Sequence, residues 1–255
     1  AKCHSGVVEV PQADKLNKGR ALATEMGCLN CHKIAGLEDR WKVGPDLTHT
    51  ESKLTADWMN RWLQDPTQFR PSTKMPKVFH LSNTSGPEER AKNDAAIESI
   101  VAYLTKNSSS VTLSQPSQQG DPIRGEKFVK DLGCLACHSL PTEASAEAGA
   151  AGVTKADFGP ELSGLGSKVT PDWLFTWLKD PKHTSKDTRM PNLRLSDGEA
   201  SDITAYLLSL KNPEFEAKAL AKASPEAVNA MILESMQGQL RHSEAGLRRS
   251  HVQVC

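Results

Sequence analysis

Two cysteine pairs are the feature of this 255-residue chain whose spacing most directly indicates chemistry. Two residues separate the cysteines of each pair, and a histidine follows directly: the motifs are Cys28-Leu29-Asn30-Cys31-His32 and Cys134-Leu135-Ala136-Cys137-His138. C-x-x-C-H is the spacing at which two thiols attach a haem covalently and the adjacent histidine meets the iron. One such motif alone also fits half of a zinc site or a thioredoxin-like redox pair.

The sequence surrounding the first motif recurs around the second. Both copies contain a glycine before the first cysteine, a Gly-Pro-x-Leu segment, two tryptophans, an Asp-Pro pair and a Met-Pro pair. The offset between the copies stays constant from Pro45 and Pro160 to Met75 and Met190. The first copy has an insertion at residues 84–93, where we expect a surface loop.

The repeat preserves methionine and not a set of zinc ligands. A zinc site requires further cysteines or histidines at matching positions in both copies, but His49, His80 and His183 each align with a different residue type. Met75 and Met190 do align, and a thioether beside a histidine suits a haem iron and is unusual for zinc. We therefore expect a haem at each motif.

The periodicity of apolar residues predicts helices and almost no strands. Helices are expected before each attachment motif, across each tryptophan pair and after each methionine, at residues 17–26, 55–64, 95–106, 121–132, 170–179 and 196–210. The last of these opens with a capping box formed by Ser196 and Glu199. The sequence therefore predicts an all-α chain in which both copies have the same order of elements.

Composition and charge narrow the range of functions. Lysine and arginine balance aspartate and glutamate at 31 each, so the net charge gives no indication of nucleic acid or of an anionic membrane surface. No apolar run approaches the ~20 residues of a membrane-spanning helix. Apolar residues make up 38% of the chain, below the roughly 45–50% usual for globular proteins. This value indicates disordered segments, or an interior partly filled by something other than side chains, such as a macrocycle.

Each copy resembles the class I (mitochondrial-type) cytochrome c domain. Four elements carry the resemblance in the family's order: the attachment motif, the Gly-Pro-x-Leu segment, the Met-Pro loop and a final helix with an aromatic residue. The resemblance implies two tandem cytochrome c-type helical domains around covalent haems, at residues 15–108 and 120–212. We expect residues 1–14 to be a remnant of an upstream haem-binding segment, residues 109–119 a linker, and residues 213–255 a helical C-terminal extension.

The resemblance also assigns roles to particular residues. It implies that Cys28, Cys31, Cys134 and Cys137 hold two haems, that His32 and His138 are the proximal iron ligands, and that Met75 and Met190 are the distal ligands. It further implies that the carbonyl of Pro45 or Pro160 accepts a hydrogen bond from the proximal imidazole, which would fix the ring's orientation.

The four tryptophans that the repeats share, Trp58, Trp62, Trp173 and Trp177, admit two interpretations. Large aromatic side chains are expected to pack against the porphyrin, and we assign Trp58 and Trp173 to cofactor binding. The alternative is an electron relay. An indole N–H to a haem propionate would be compatible with packing.

The N-terminus suggests a further site. Cys3-His4 is the second half of an attachment motif whose first cysteine would precede Ala1, and an unpaired thiol is a poor choice for an oxidising compartment. We expect a third haem here, held by Cys3 with His4 as proximal ligand, in a chain cut from a longer polypeptide.

Taken together, these features indicate electron transfer and no substrate chemistry, because His/Met ligation leaves no open position on iron. The expected partners are a redox protein or the subunits of a membrane respiratory complex, such as a quinol-oxidising one, with no nucleic acid. Haem attachment indicates a periplasmic or otherwise extracytoplasmic location. The alternatives are a dihaem cytochrome c peroxidase-like enzyme and a link in a multihaem electron-conducting assembly.

Overall fold

The computed structural model describes residues 10–26, 28, 32, 34, 44–140 and 159–233. Contacts within the chain divide it into two units: the first comprises residues 1–48, 59–108 and 219–255, and the second comprises residues 49–58 and 109–218. Within the described ranges the regular structure is helical, and the only β-type pairing is an isolated antiparallel bridge between Leu54 and Val169. The prediction of an all-α chain is confirmed for these residues.

The helices follow the order expected from the repeat. In chain order the described α-helices are α1 (Asp14–Glu25), α2 (Thr50–Lys53), α3 (Ala56–Gln64), α4 (Pro87–Lys106), α5 (Pro122–Asp131), α6 (Leu165–Lys168), α7 (Pro171–Lys179), α8 (Pro181–Thr184), α9 (Asp197–Ser209) and α10 (Pro213–Glu216). Short 3-10 turns span Pro66–Gln68 and Cys134–Ala136. Residues 225–233 are also helical.

Local sequence explains where most of these helices begin. The predicted capping box of α9 is confirmed: the Ser196 hydroxyl accepts from the Glu199 N–H, and the Glu199 carboxylate accepts from the Ser196 N–H. The expectation of a loop at residues 84–93 is wrong for most of that stretch, because α4 already begins at Pro87. A proline in the first turn followed by two glutamates suits a helix N-terminus, since proline lacks an N–H and acids complement the helix dipole.

In the first unit, α1 packs across α4 at Gly19. A Cβ placed on Gly19 would lie 2.2 Å from the Ser99 carbonyl oxygen and 2.7 Å from the Tyr103 Cβ. Only glycine allows the two backbones to approach this closely. The first helix and the last helix of this repeat therefore cross at Gly19.

In the second unit, α5 packs across α9 in the same way. A Cβ on Gly125 would lie 2.0 Å from the Asp202 carbonyl oxygen and 2.8 Å from the Tyr206 Cβ. The buried Asp202 carboxylate accepts from the Arg124 guanidinium at 2.8 and 3.0 Å and from the Asp121 N–H at 2.7 Å. The core beside this crossing is built from buried aliphatic and aromatic side chains, including Trp173, Phe175 and Ile203.

Two segments from outside the second repeat also belong to the second unit. The Thr55 N–H donates to the Lys168 carbonyl, and the Thr170 N–H donates to the Lys53 carbonyl, so that equivalent residues of the two copies pair around the Leu54–Val169 bridge. Residues 109–119, the predicted linker, contain no helix. The Ser114 N–H donates to the Thr176 hydroxyl at 2.8 Å. The role of residues 109–119 as a linker stays a prediction, and so do the predicted domain limits.

The C-terminal extension contributes to both units. Pro213–Glu216 forms a short helix in the second unit, whereas residues 219–233 belong to the first. In the first unit, Ala221, Ala227 and Met231 are buried. Among the described residues, no helix combines the length and hydropathy required to cross a bilayer.

Candidate haem-binding sites

The second attachment motif forms a tight turn from its first cysteine to its histidine. In the second unit, Gly133 adopts a left-handed conformation (φ +80°) ahead of the Cys134–Ala136 turn, and the His138 N–H donates to the Cys134 carbonyl at 2.9 Å. In the first unit the His32 N–H donates to the Cys28 carbonyl at 2.8 Å. In both motifs the histidine N–H therefore donates to the carbonyl of the first cysteine; Cys31 lies outside the described residues.

Each motif histidine is oriented by a backbone carbonyl. The Nδ1 of His32 lies 2.8 Å from the Pro45 oxygen, and the Nδ1 of His138 lies 2.7 Å from the Pro160 oxygen. A carbonyl only accepts, so Nδ1 carries the proton in both rings, and the lone pair of Nε2 is left for a metal. These are the contacts that the family resemblance implies.

A glycine beside the second imidazole makes room for the ring. A Cβ on Gly159 would lie 2.8 Å from both Cε1 and Nδ1 of His138. Any other residue before Pro160 would displace the imidazole from its carbonyl partner. The Gly-Pro segment therefore has two roles. Gly159 leaves space for the imidazole ring, and the Pro160 carbonyl accepts its hydrogen bond.

The environment of Cys134 does not suit a thioredoxin-like redox thiol. Burial raises the pKa of the Cys134 thiol, whereas thioredoxin-like chemistry needs a cysteine whose pKa is lowered. Cys137 is exposed, and the two thiols form no disulfide. Within the part of the chain that the structure describes, no group of three or more Cys, His, Asp or Glu side chains converges as a metal site.

The sulfur of each repeated methionine is held by a tryptophan. The indole Nε1 of Trp62 donates to the Met75 Sδ at 2.9 Å, and the indole Nε1 of Trp177 donates to the Met190 Sδ, also at 2.9 Å. All four side chains are half-buried. The two units thus fix the thioether in the same way.

The backbone of each methionine is held by a threonine two residues earlier. The Met75 N–H donates to the Thr73 hydroxyl at 3.2 Å, and the Met190 N–H donates to the Thr188 hydroxyl at the same distance. These backbone bonds fix the loop around the sulfur. The indole N–H uses one lone pair of the sulfur, and the other lone pair is left for a metal. Main chain and side chain of the methionine are therefore both positioned by the protein.

This donor set fits a haem of the c type. Each motif offers thiols for thioether bonds and an imidazole whose protonated nitrogen is already engaged, and each methionine loop offers a positioned thioether. Imidazole and thioether are the axial ligands of cytochrome c iron. Cys28 with His32 and Met75 would hold the first group, and Cys134, Cys137, His138 and Met190 would hold the second.

The two tryptophans assigned to cofactor binding are both buried in the second unit. The Lys168 Nζ lies 4.9 Å from the Trp58 ring centroid, and the Lys53 Nζ lies 4.6 Å from that of Trp173. Trp173 also stacks on Trp177 at 5.2 Å between centroids. Their contact with a porphyrin stays a prediction.

Sequence reasoning missed the donors to the methionine sulfurs. The sequence interpretations of Trp62 and Trp177 are packing, an electron relay or a donor to a haem propionate, and none of these is a bond to sulfur. Each tryptophan nevertheless stands the same number of residues before its methionine. The threonine two residues before each methionine is the matching signal for the backbone bond. Cys3 and His4, the predicted third site, lie outside the described residues.

Comparison with known proteins agrees with this geometry. A search of curated proteins finds no match. The family model described as Cytochrome c matches residues 16–108 and 123–211, which is more than half of the chain and includes both attachment motifs and both methionines. Two such domains imply two covalent c-type haems and haem-based electron transfer. The chain therefore belongs to the cytochrome c family, with two of its domains in tandem.

Proposed function

We propose that the chain carries single electrons between a donor and an acceptor through two haems with His/Met axial ligation. His32 and Met75 ligate the first iron, and His138 and Met190 ligate the second. The observation that carries the proposal is the duplicated arrangement of ligand atoms. In both units a proline carbonyl orients the imidazole and an indole N–H orients the thioether.

The residues around each site suit electron transfer without bond making. When bound, haem supplies a one-electron couple. The proline carbonyl holds the proton of the imidazole on Nδ1, which keeps Nε2 a donor in both oxidation states. The tryptophan and threonine keep the methionine in place, so little rearrangement accompanies the gain or loss of an electron. An iron held by both the imidazole and the thioether would leave no position for a substrate.

The environment proposed for this carrier follows from its cofactor. Covalent haem attachment takes place outside the cytoplasm, so we place the protein in the periplasm or an equivalent compartment. Its partners are a soluble redox protein or the subunits of a respiratory complex. A third haem at Cys3 and His4 stays a prediction, which a pyridine haemochrome assay against protein mass tests by counting two or three haems per chain.

A redox titration combined with a peroxide challenge tests the proposal. The holoprotein should be reduced and reoxidised reversibly in two one-electron steps, with low-spin spectra throughout. The reduced protein should not turn over hydrogen peroxide, because that reaction needs an open position on one iron. Rapid peroxide consumption, or a high-spin iron in the resting protein, would favour the peroxidase alternative and refute the electron-carrier assignment.

A further inference from the structure

A segment from beyond the second repeat completes the first unit. Residues 219–223, here called the C-terminal clamp, bind the C-terminal part of α3 and the middle of α4, both in the first unit. The Ala223 N–H donates to the Glu98 carboxylate on α4 at 2.9 Å, and Glu98 also pairs with Lys15 on α1. The clamp residue Ala221 is only 6% exposed.

The central contact of the clamp is a two-way pair between Asn60 and one backbone unit. The Asn60 Nδ2 donates to the Ala221 carbonyl at 3.0 Å, and the Ala221 N–H donates to the Asn60 Oδ1 at 2.9 Å. Gln64, one turn later on α3, donates to the Ala219 carbonyl at 3.0 Å and to the Asn60 Oδ1 at 3.0 Å. Asn60 is 7% exposed, so its amide depends on these partners for its hydrogen bonds.

The second repeat has different residues at the two positions. Phe175 stands in place of Asn60 and is part of the hydrophobic core. Lys179 stands in place of Gln64 and binds its own unit, through the Leu195 carbonyl and the Asp197 carboxylate, each at 2.7 Å. The two side-chain amides that bind the clamp, Asn60 and Gln64, are therefore found in the first repeat and not in the second.

The helix that the clamp holds also carries the donor to the Met75 sulfur. Trp62 lies midway between Asn60 and Gln64 on α3, and a two-residue step turns an α-helix by about 200°. The clamp therefore binds the side of α3 opposite to the indole that donates to Sδ. Any rotation or shift of α3 would move the Trp62 N–H away from the methionine.

We propose that the C-terminal clamp positions α3 for the first haem, with Asn60 as the positioning residue that keeps Trp62 against Met75. The proposal rests on Met75 being the iron ligand of the first site. It predicts that methionine ligation at the first iron depends on a segment more than a hundred residues away in sequence, whereas ligation at the second iron does not.

The test uses full-length holoprotein and binding of imidazole to the oxidised iron, which requires the methionine to leave. The background substitution Met190→His removes the second thioether, so that the near-infrared band of methionine-ligated ferric iron reports the first site alone. In that background Asn60→Ala should raise the apparent affinity for imidazole about tenfold, since a difference of one to two hydrogen bonds corresponds to about this factor. In the converse background, Met75→His, the same substitution should change the affinity at the second iron less than twofold.

Ala221→Pro removes one of the two hydrogen bonds of this contact from the clamp side, because proline has no N–H to donate to the Asn60 Oδ1. It should reproduce the tenfold change, and the double variant should add less than twofold to either single one, since both act through one contact. Lys222→Ala, an exposed position in the same segment, is the matched control and should match wild type. Wild-type affinity in both Asn60→Ala and Ala221→Pro, or an equal change at both irons, would overturn the clamp.

The spectrum of the protein before any clamp substitution distinguishes a failure of the clamp proposal from a failure of the proposed methionine ligation. Absence of the near-infrared band before any clamp substitution would refute methionine ligation itself, and the clamp proposal with it. A normal band together with unchanged imidazole binding in the clamp variants would refute the clamp alone.

Discussion

Replacing Trp62 with phenylalanine isolates the effect of one hydrogen bond on the reduction potential of the first site. The indole N–H points its positive end at the Met75 sulfur from 2.9 Å. A positive dipole beside an iron ligand favours the reduced state, which carries one positive charge less. Trp62→Phe retains an aromatic ring but removes the donor, so the potential of the first site should fall.

The size of the shift follows from ordinary hydrogen-bond energies. A hydrogen bond contributes about 0.5–1.5 kcal/mol net. If the indole N–H stabilises the reduced state by this amount relative to the oxidised state, its loss lowers the potential of a one-electron couple by about 20–60 mV. The Trp62 ring is half-buried and lies edge-on to Phe69, with 6.2 Å between centroids. Phe69→Leu therefore serves as the control, because it changes this packing without touching the N–H, and should shift the potential by less than ~10 mV.

Spectroelectrochemical titration of the holoprotein provides the measurement, since the two sites titrate as two one-electron components. Trp62→Phe should lower one component, and Trp177→Phe should lower the other by a similar amount because the second contact has the same length. An unchanged or raised potential in Trp62→Phe, or an equal drop in Phe69→Leu, would show that the indole donor does not tune the site.

Three further predictions concern packing, acid stability and ligation. Gly125→Ala should destabilise the second unit by about 1–3 kcal/mol in thermal unfolding, because its Cβ would lie 2.0 Å from the Asp202 carbonyl; an unchanged Tm would contradict the crossing described above. The hydrogen bond from the Arg124 guanidinium holds the pKa of Asp202 below its ordinary value of 3.8, so the stability it contributes is complete above that pH and lost as the pH falls through the lowered pKa. Arg124→Ala should therefore lower the Tm at neutral pH and converge with wild type in acid, whereas a difference that persists in acid would contradict this assignment. Met75→His should remove half of the near-infrared methionine band, and retention of full intensity would exclude Met75 as a ligand.

The sequence was a good guide wherever a signal was local or was duplicated in both repeats. The capping box of α9 lies within four residues, and its geometry is as expected. The crossing glycines stand at matching distances before the two motifs, and each meets the final helix of its own repeat. In both cases the backbone geometry restricts which residue types fit, so the local structure can be inferred from a single sequence.

The sequence was a poor guide where polar residues form a helix without an apolar face. The first two turns of α4 contain proline, acids and other polar residues, which read as an inserted loop. They are helical because Pro87 and the following acids favour a helix start, and because the buried face that begins at Ala95 anchors the rest of the helix.

The C-terminal clamp could not have been inferred from the sequence. Its contacts join an amide on α3 to main-chain atoms far along the chain, and a backbone partner leaves no trace in side-chain patterns. Asn60 aligns with the core residue Phe175, which gave no reason to expect a buried polar group. Such pairings depend on tertiary structure alone.

The intensity of the near-infrared methionine-to-iron band in the oxidised holoprotein tests the central claim most directly. Measured against haem content, the band should correspond to two methionine-ligated irons per chain, one for Met75 and one for Met190. Absence of the band, in a protein that carries both covalent haems, would contradict the His/Met account of this cytochrome.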